Sequence, residues 1–403
     1  MRATFRVAER VRSRNQEFSP PKADMKSTAI SVALICALCW APLAAQVTFP
    51  GAAWERVPPE RSGWSKAGLA ELQAWSNQHH STTLMIVHHG VVVAEWGDTS
   101  TRLELESVRK SLLSALIGIA VSGKKISLDS TLEQLDVDDN PPALTKAEKQ
   151  ATVRMLLQAR SGVYHKALYE SADMAKNRPA RGSHMPGTFW YYNNWDFNAL
   201  GTIFEHAAGV GVYDGLGEWI ARPLGMQDYR PGDGHYVTGP DSIHPAYAIR
   251  MSARDLARFA LLYARKGNWA GRQVVPVDWV QESTQPYSVS RPGLGYGYMW
   301  WTAGPDPKPG ELAKGCFFAA GTGGQLAFVF PAIDLVLVHQ IDEGLGLPEP
   351  SSEDIGQLVK LTLKAGGFLL SPQGNADRLS QLPSQRPRSE WFSNEFKRAL
   401  EER

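Results

Sequence analysis

The strand-forming residues of this chain lie near its two ends, and that split is what most limits the folds open to it. Thr83 to Val87 and Val91 to Trp96 are two β-rich runs joined by His88-His89-Gly90, the pattern of a hairpin. Strand character returns only in Gly297 to Thr302, Cys316 to Ala320, Gln325 to Phe330 and Leu335 to Ile341. Between the two blocks, from Ile126 to about Gln285, helical periodicities such as Val153 to Gln158 and Ala253 to Arg265 alternate with Pro/Gly loops. A mostly buried helix is expected from Ser107 to Val121, closed by Gly123, and an amphipathic helix from Asp354 to Lys364 should cover a sheet. With a hairpin first, strands last and helices between, both ends must meet in one sheet. The expected fold class is α/β in the α+β sense: an antiparallel β-sheet flanked by helices, with an inserted mainly helical subdomain. A cleft is expected between the two parts.

The domain limits follow from composition. Met25-Lys26, the apolar run Ala29 to Trp40 and Pro42-Leu43-Ala44-Ala45 stand in the order of a secretory signal, so residues 1–45 are expected to be removed and the mature chain to start near Gln46. The run is too short for a stable membrane span; an uncleaved anchor is the alternative. Periplasmic or secreted location is the expectation. The main domain should occupy 46–370, with a sheet part at 46–125 and 290–370 and a helical insertion at 126–289. The segment 371–403, rich in Gln, Ser, Pro and Arg, is expected to be a loosely ordered tail. Residues 1–45 hold seven basic and three acidic side chains of a chain with net charge +1, so the remainder carries −3, and no nucleic-acid partner is expected. Cys36 and Cys39 fall inside the signal, leaving Cys316 alone and no intramolecular disulfide to form.

Three Ser-x-x-Lys matches occur, at Ser19/Lys22, Ser107/Lys110 and Ser122/Lys125, so the pattern alone is weak. Context separates them. Ser19 precedes the signal, and Ser122 sits at a helix exit where Lys124 and Lys125 suit the negative end of the dipole. Ser107 stands at the start of an apolar helix, where free backbone N–H groups and the positive dipole end can stabilise an oxyanion. The i to i+3 spacing puts Lys110 on the same face, able to ease alkoxide formation or to act as base if neutral. The competing reading is that Ser107 only caps the helix and Lys110 is solvated.

Ser107-Val-Arg-Lys110 with the following Ser-Leu-Leu-Ser-Ala-Leu-Ile-Gly-Ile-Ala resembles the active-site helix of the serine β-lactamase and penicillin-binding superfamily, above all its class C branch. That branch includes carboxylesterases, D-amino-acid peptidases and 6-aminohexanoate oligomer hydrolases. Leu156-Leu157-Gln-Ala-Arg-Ser161-Gly162-Val163 is similar to the branch's Leu-Leu-x-x-x-Ser-Gly segment, and Pro186-Gly187-Thr-Phe-Trp-Tyr-Tyr192-Asn193-Asn194 to its Pro-Gly-x-x-x-x-Tyr-x-Asn segment. Pro223-Leu-Gly225-Met226, Asp255-Leu-Ala-Arg258-Phe, Tyr296-Gly-Tyr-Met-Trp300-Trp301 and Gly321-Thr-Gly323-Gly324-Gln325 look like its later landmarks. The likeness spans roughly residues 55 to 365, in the right order.

The resemblance implies that Ser107 is the nucleophile, that Tyr192 is the base or proton shuttle, lowered toward phenolate by Lys110, and that Asn194 orients the substrate or the lysine. Tyr191 and Asn193 also fit Tyr-x-Asn; counting from Gly187 favours Tyr192 with Asn194. The backbone N–H groups of Thr322 and Ser107 would hold the oxyanion, while Gly321, Gly323 and Gly324 let substrate lie close against the strand. Where the family pattern has Lys-Thr-Gly, this chain aligns Ala319-Ala320-Gly321, and the absent lysine is the group that would meet a substrate carboxylate. That departure points to a small-molecule ester or amide rather than a penicillin-like substrate. A β-lactamase or D-peptidase is the second reading, and a silent binding protein that keeps the fold is the third.

Weaker candidates are His88, His89 and His184 as bases, and Tyr296, Trp300 and Trp301 as walls of an acyl pocket. Cys316 reads as a small buried hydrophobe. Gly-x-Ser-x-Gly and His-Glu-x-x-His are absent from the sequence, as is the phosphate-loop signature Gly-x-x-x-x-Gly-Lys-Ser/Thr, so an α/β-hydrolase elbow, a catalytic metal and a nucleotide cofactor are not expected.

Overall fold

A computed structural model describes residues 48–140, 142–304 and 315–369. The expectations for 1–45 and 371–403 lie outside the described residues.

The hairpin forms as β1 (Thr83–His88) and β2 (Val91–Gly97), turned by His89 and Gly90 in the left-handed region. From the C-terminal half come β3 (Ser288–Arg291), β4 (Leu294–Tyr296), β5 (Trp301–Ala303), β6 (Phe317–Gly321), β7 (Gln325–Phe330) and β8 (Leu335–Gln340). They make one eight-stranded sheet in the order β2-β1-β8-β7-β6-β5-β4-β3, with every neighbouring pair antiparallel. The junction between the chain ends is the β1–β8 ladder, Thr83 opposite Gln340 through His88 opposite Leu335.

Both faces of the sheet are covered, which is why its central strands read as unbroken apolar runs. The period of two sends Met85, Val87, Ala327, Val329, Val336 and Val338 to one face, against α2 (Arg109–Ser122), α4 (Asn194–Ala208) and α5 (Ala253–Ala264). Leu84, Ile86, Leu326, Phe328, Leu335 and Leu337 face the other way, against α1 (Lys66–Gln78) and α6 (Ser352–Ala365). Here α6 starts with a capping box, Ser351 with Asp354, and α1 is tied to it where the Ser65 N–H donates to the Ala365 carbonyl at 2.9 Å. The region 126–289 holds α3 (Val153–Leu157), α4 and α5 as well as short two-stranded ribbons such as His235–Gly239 with Ser242–Ala248.

Two expected elements differ. Gly297 to Thr302 is not one strand: residues 297–300 turn between β4 and β5, with Met299 at φ +59°. The turn exists because its polar groups bond across the core, the Met299 N–H to the Leu157 carbonyl at 3.1 Å and the Ser111 hydroxyl to the Met299 carbonyl at 2.8 Å. The helix expected from Ser107 begins instead as a 3-10 turn, Glu106–Val108, and becomes α-helical at Arg109. No helix among the described residues is long and apolar enough to cross a membrane.

Candidate active site

The 3-10 turn carrying Ser107 is held at a sharp angle. Glu106 takes a left-handed φ of +48°, and the Val108 N–H returns to the Leu105 carbonyl at 3.0 Å. Behind it the end of β6 presses directly on this turn: a Cβ on Gly321 would stand 2.6 Å from the Leu105 carbonyl oxygen and 2.8 Å from the Ser107 nitrogen. Glycine at 321 is therefore required by the chain's own close approach, whatever binds there. Gly323 and Gly324 follow at φ +73° and +81°, a conformation few other residues adopt. The Gly323 N–H donates to Glu349 Oε2 at 2.7 Å, and His339 Nδ1 lies 2.7 Å from the Gly324 carbonyl oxygen, fixing the turn from the sheet side. Thr322 is exposed at the edge of this turn, while Ser107 is partly exposed.

One turn into the helix, Lys110 is 1% exposed, and its Nζ lies 2.6 Å from Ser107 Oγ. Its other neighbours are ring faces, Tyr192 at 4.9 Å and Phe197 at 5.2 Å from the centroids. Desolvation, reinforced by the adjacent Arg109 charge and opposed by Glu106, holds the Lys110 amine well below the ordinary lysine range. Burial thus disfavours the charged form of an amine that stands beside a hydroxyl.

Tyr192 precedes α4, whose first turn is capped by Asn193 accepting the Asp196 N–H at 2.9 Å. Its ring stacks on Trp301 at 5.5 Å and meets Tyr296 edge-on at 5.7 Å. The expectation of a phenol lowered toward phenolate is reversed: burial pushes Tyr192 up to about 12, with a hydrogen bond to Ser107 and the Arg109 charge only partly offsetting it. The charges that act on the phenol are those of Arg109 and Glu106, in opposite senses, and neither overcomes burial. Tyr192 is thus a neutral hydroxyl in contact with Ser107.

Asn194 is buried, and its amide N–H is directed to the Tyr169 carbonyl rather than to Lys110, while its Oδ1 has no partner among the described residues. Tyr169, a residue no sequence motif marks, lies at the centre of this region. At φ +62° its hydroxyl donates to Glu106 Oε1 and its ring covers the Arg109 guanidinium at 4.9 Å. It therefore links the segment before Ser107 to the start of α4.

The remaining candidates sit elsewhere. His88 is pushed down to about 4 by burial and by its neighbour His89, and His89 pairs with Asp334 at 3.2 Å. His184 stacks on Phe189 at 4.0 Å and bonds Ser183. Trp300 is fully buried against Phe259, Tyr263 and Phe317, so it belongs to the core, whereas Trp301 and Tyr296 do flank Tyr192. Trp190, half-buried, joins that aromatic wall, while Trp195 is wholly buried with its N–H on Asp139 at 2.6 Å. Cys316 is buried.

The fold and the Ser-x-x-Lys turn define a class, the serine-hydrolase architecture with an antiparallel sheet and a helical insertion. The family model described as Beta-lactamase matches residues 67–340, and the chain belongs to that family. An uncharacterized protein of Alkalihalophilus pseudofirmus is 23% identical over 302 residues, covering 66% of this chain and 85% of its own length. Among solved structures, one described as a 6-aminohexanoate-dimer hydrolase from Bacillus anthracis superposes with a TM-score of 0.58 at 16% identity, covering 84% of this chain and 89% of that one. A penicillin-binding protein from Bacillus halodurans gives 0.52 at 17%, covering 72% and 98%. A hydrolase with promiscuous acyltransferase activity gives 0.50 at 17%, covering 69% and 95%. At such identities the likeness establishes the fold alone.

Proposed function

We propose that the protein is an exported serine hydrolase that cleaves an ester or amide bond through an acyl-enzyme on Ser107. The observation that carries this reading is the 2.6 Å approach of a wholly buried Lys110 amine to Ser107 Oγ. In this reading free-base Lys110 takes the Ser107 proton as Oγ attacks the carbonyl carbon, and the resulting ammonium, or Tyr192, returns a proton to the leaving group. Tyr192 acts as a neutral donor and shuttle, since its phenol stays protonated at working pH. The N–H groups of Ser107 and Thr322 are assigned to the developing oxyanion. Water then attacks the acyl carbon, with Lys110 again as base, and Ser107 is released.

Esters and amides are favoured over β-lactams because Ala319-Ala320 stand where a carboxylate-binding lysine would be, and both side chains end at a methyl group. The 6-aminohexanoate-dimer and acyltransferase relatives support amide and ester chemistry on this fold. Export rests on the pattern of residues 25–45.

The test is hydrolysis of p-nitrophenyl acetate and butyrate by the chain from Gln46, beside Ser107→Ala. Turnover that vanishes in the variant supports the assignment. Turnover indifferent to Ser107, or none, sinks it and favours a binding role; rapid nitrocefin turnover would instead favour the β-lactamase reading.

A further inference from the structure

Arg109 is 1% exposed, yet it makes no ion pair among the described residues. Its Nη1 donates to the Glu106 carbonyl at 2.8 Å, while Nε and Nη2 are buried without a hydrogen-bond partner. The guanidinium lies between two aromatic faces, Tyr169 at 4.9 Å and Tyr247 at 5.5 Å. A guanidinium is a positive charge, and it is retained here against the cost of desolvation. The nearest acid in sequence, Glu106, is engaged by the Tyr169 hydroxyl.

We propose that Arg109 is a positioning residue acting through Lys110: its guanidinium, buried without an ion pair among the described residues, sets a positive charge next in the helix to the amine that lies 2.6 Å from Ser107 Oγ and so favours that amine's role as proton acceptor. Two charged groups act on Lys110, Arg109 from its own helix and Glu106 from the turn before it, and they act in opposite senses. From the α4 side Tyr192 and Phe197 present ring faces, and Ser107 presents a hydroxyl. Tyr169 keeps the two charges apart in function, its ring on the cation and its hydroxyl on the carboxylate. The Arg109 charge also favours ionisation of Tyr192, but burial outweighs it there, so the amine is the group that is switched.

This inference rests on the reading of Ser107 and Lys110 as the reacting pair, and its test separates the two. The Lys110 side chain is titrated by NMR in the full-length protein, its resonance identified by loss in Lys110→Arg. Arg109→Gln, which can still donate to the Glu106 carbonyl, should raise the Lys110 midpoint by about one pH unit. Glu106→Gln should move it down. The acid limb of kcat/KM for p-nitrophenyl butyrate should travel with the midpoint in each variant. A merely structural role predicts loss of rate with no opposed shifts. If Arg109→Gln does not fold, Arg109→Met and the Glu106→Gln arm carry the same test. An unmoved midpoint, or shifts of the same sign at 106 and 109, would overturn the inference. Opposed shifts in a protein without Ser107-dependent turnover would uphold it while discarding the hydrolase reading.

Discussion

Ser161 donates its hydroxyl proton to Asp196 across 2.5 Å in the closed interior, joining the segment after α3 to the first turn of α4. The Val163 N–H completes the knot on Ser161 Oγ at 2.9 Å. Tyr192 stands four residues before Asp196, so this bond fixes the base of the segment that brings the phenol to Ser107.

A pH dependence of stability follows from the same pair. Burial raises the Asp196 carboxyl to about 7, above its ordinary 3.8. A carboxyl raised on folding binds protons more tightly in the folded state, so its contribution is complete below about pH 4 and is lost as pH rises through 7. The stability of the native chain relative to Asp196→Asn is expected to fall between pH 4 and 7 and to level off above it. Thermal unfolding of both proteins across that range checks this; a constant difference would contradict it.

Tyr192→Phe separates the two proton carriers. The substitution keeps the stack on Trp301 and removes only the hydroxyl. With the phenol neutral up to about 12 in the native protein, its loss should lower kcat by about 10²-fold while leaving the acid limb of the rate profile in place. Disappearance of that limb would make Tyr192 the titrating base after all.

Gly321→Ala forces a methyl into the Leu105 carbonyl and the Ser107 nitrogen, at 2.6 and 2.8 Å. Both are backbone atoms and cannot swing aside. The expected result is a destabilisation of about 1–3 kcal/mol, with the Ser107 turn displaced and kcat reduced more than KM is raised. Denaturant unfolding together with ester kinetics reads both effects; unchanged values for both would refute the close approach.

The hairpin, β7 and β8 are legible because β-branched and aromatic runs bounded by turns leave few alternatives, and the meeting of Ser107, Lys110 and Tyr192 is legible because spacing and order mark it. What escaped reading depends on contacts between distant residues. The helix Lys66–Gln78 lacks a strong apolar stripe and is secured by α6, almost three hundred residues later. Residues 297–300 look like strand, yet they turn because Leu157 and Ser111 bond to Met299. Tyr169 belongs to no motif, and nothing local announces that its ring and hydroxyl meet Arg109 and Glu106. The upward direction of the Tyr192 shift also escapes the sequence, since desolvation is set by the packing of Trp301, Tyr296 and Phe197 around it rather than by its neighbours in sequence.

The sharpest test of the proton path is at Lys110 itself. Truncation to alanine removes the amine and leaves space beside Ser107 Oγ, without touching the backbone N–H groups assigned to the oxyanion. General-base assistance of this kind is worth about 10²–10⁴-fold, so kcat/KM for p-nitrophenyl butyrate should fall by that factor. The acid limb should vanish with it, because the group whose protonation stops the native reaction is gone. A small primary amine added to Lys110→Ala should restore part of the rate, and the restoration should grow with pH as the added amine loses its proton. Arginine at the same position fills the space but stays charged, so Lys110→Arg should not be active at any pH that the fold survives. Rescue by alkylammonium at low pH, or activity in the arginine variant, would mean that Lys110 serves as a fixed positive charge and that the base lies elsewhere.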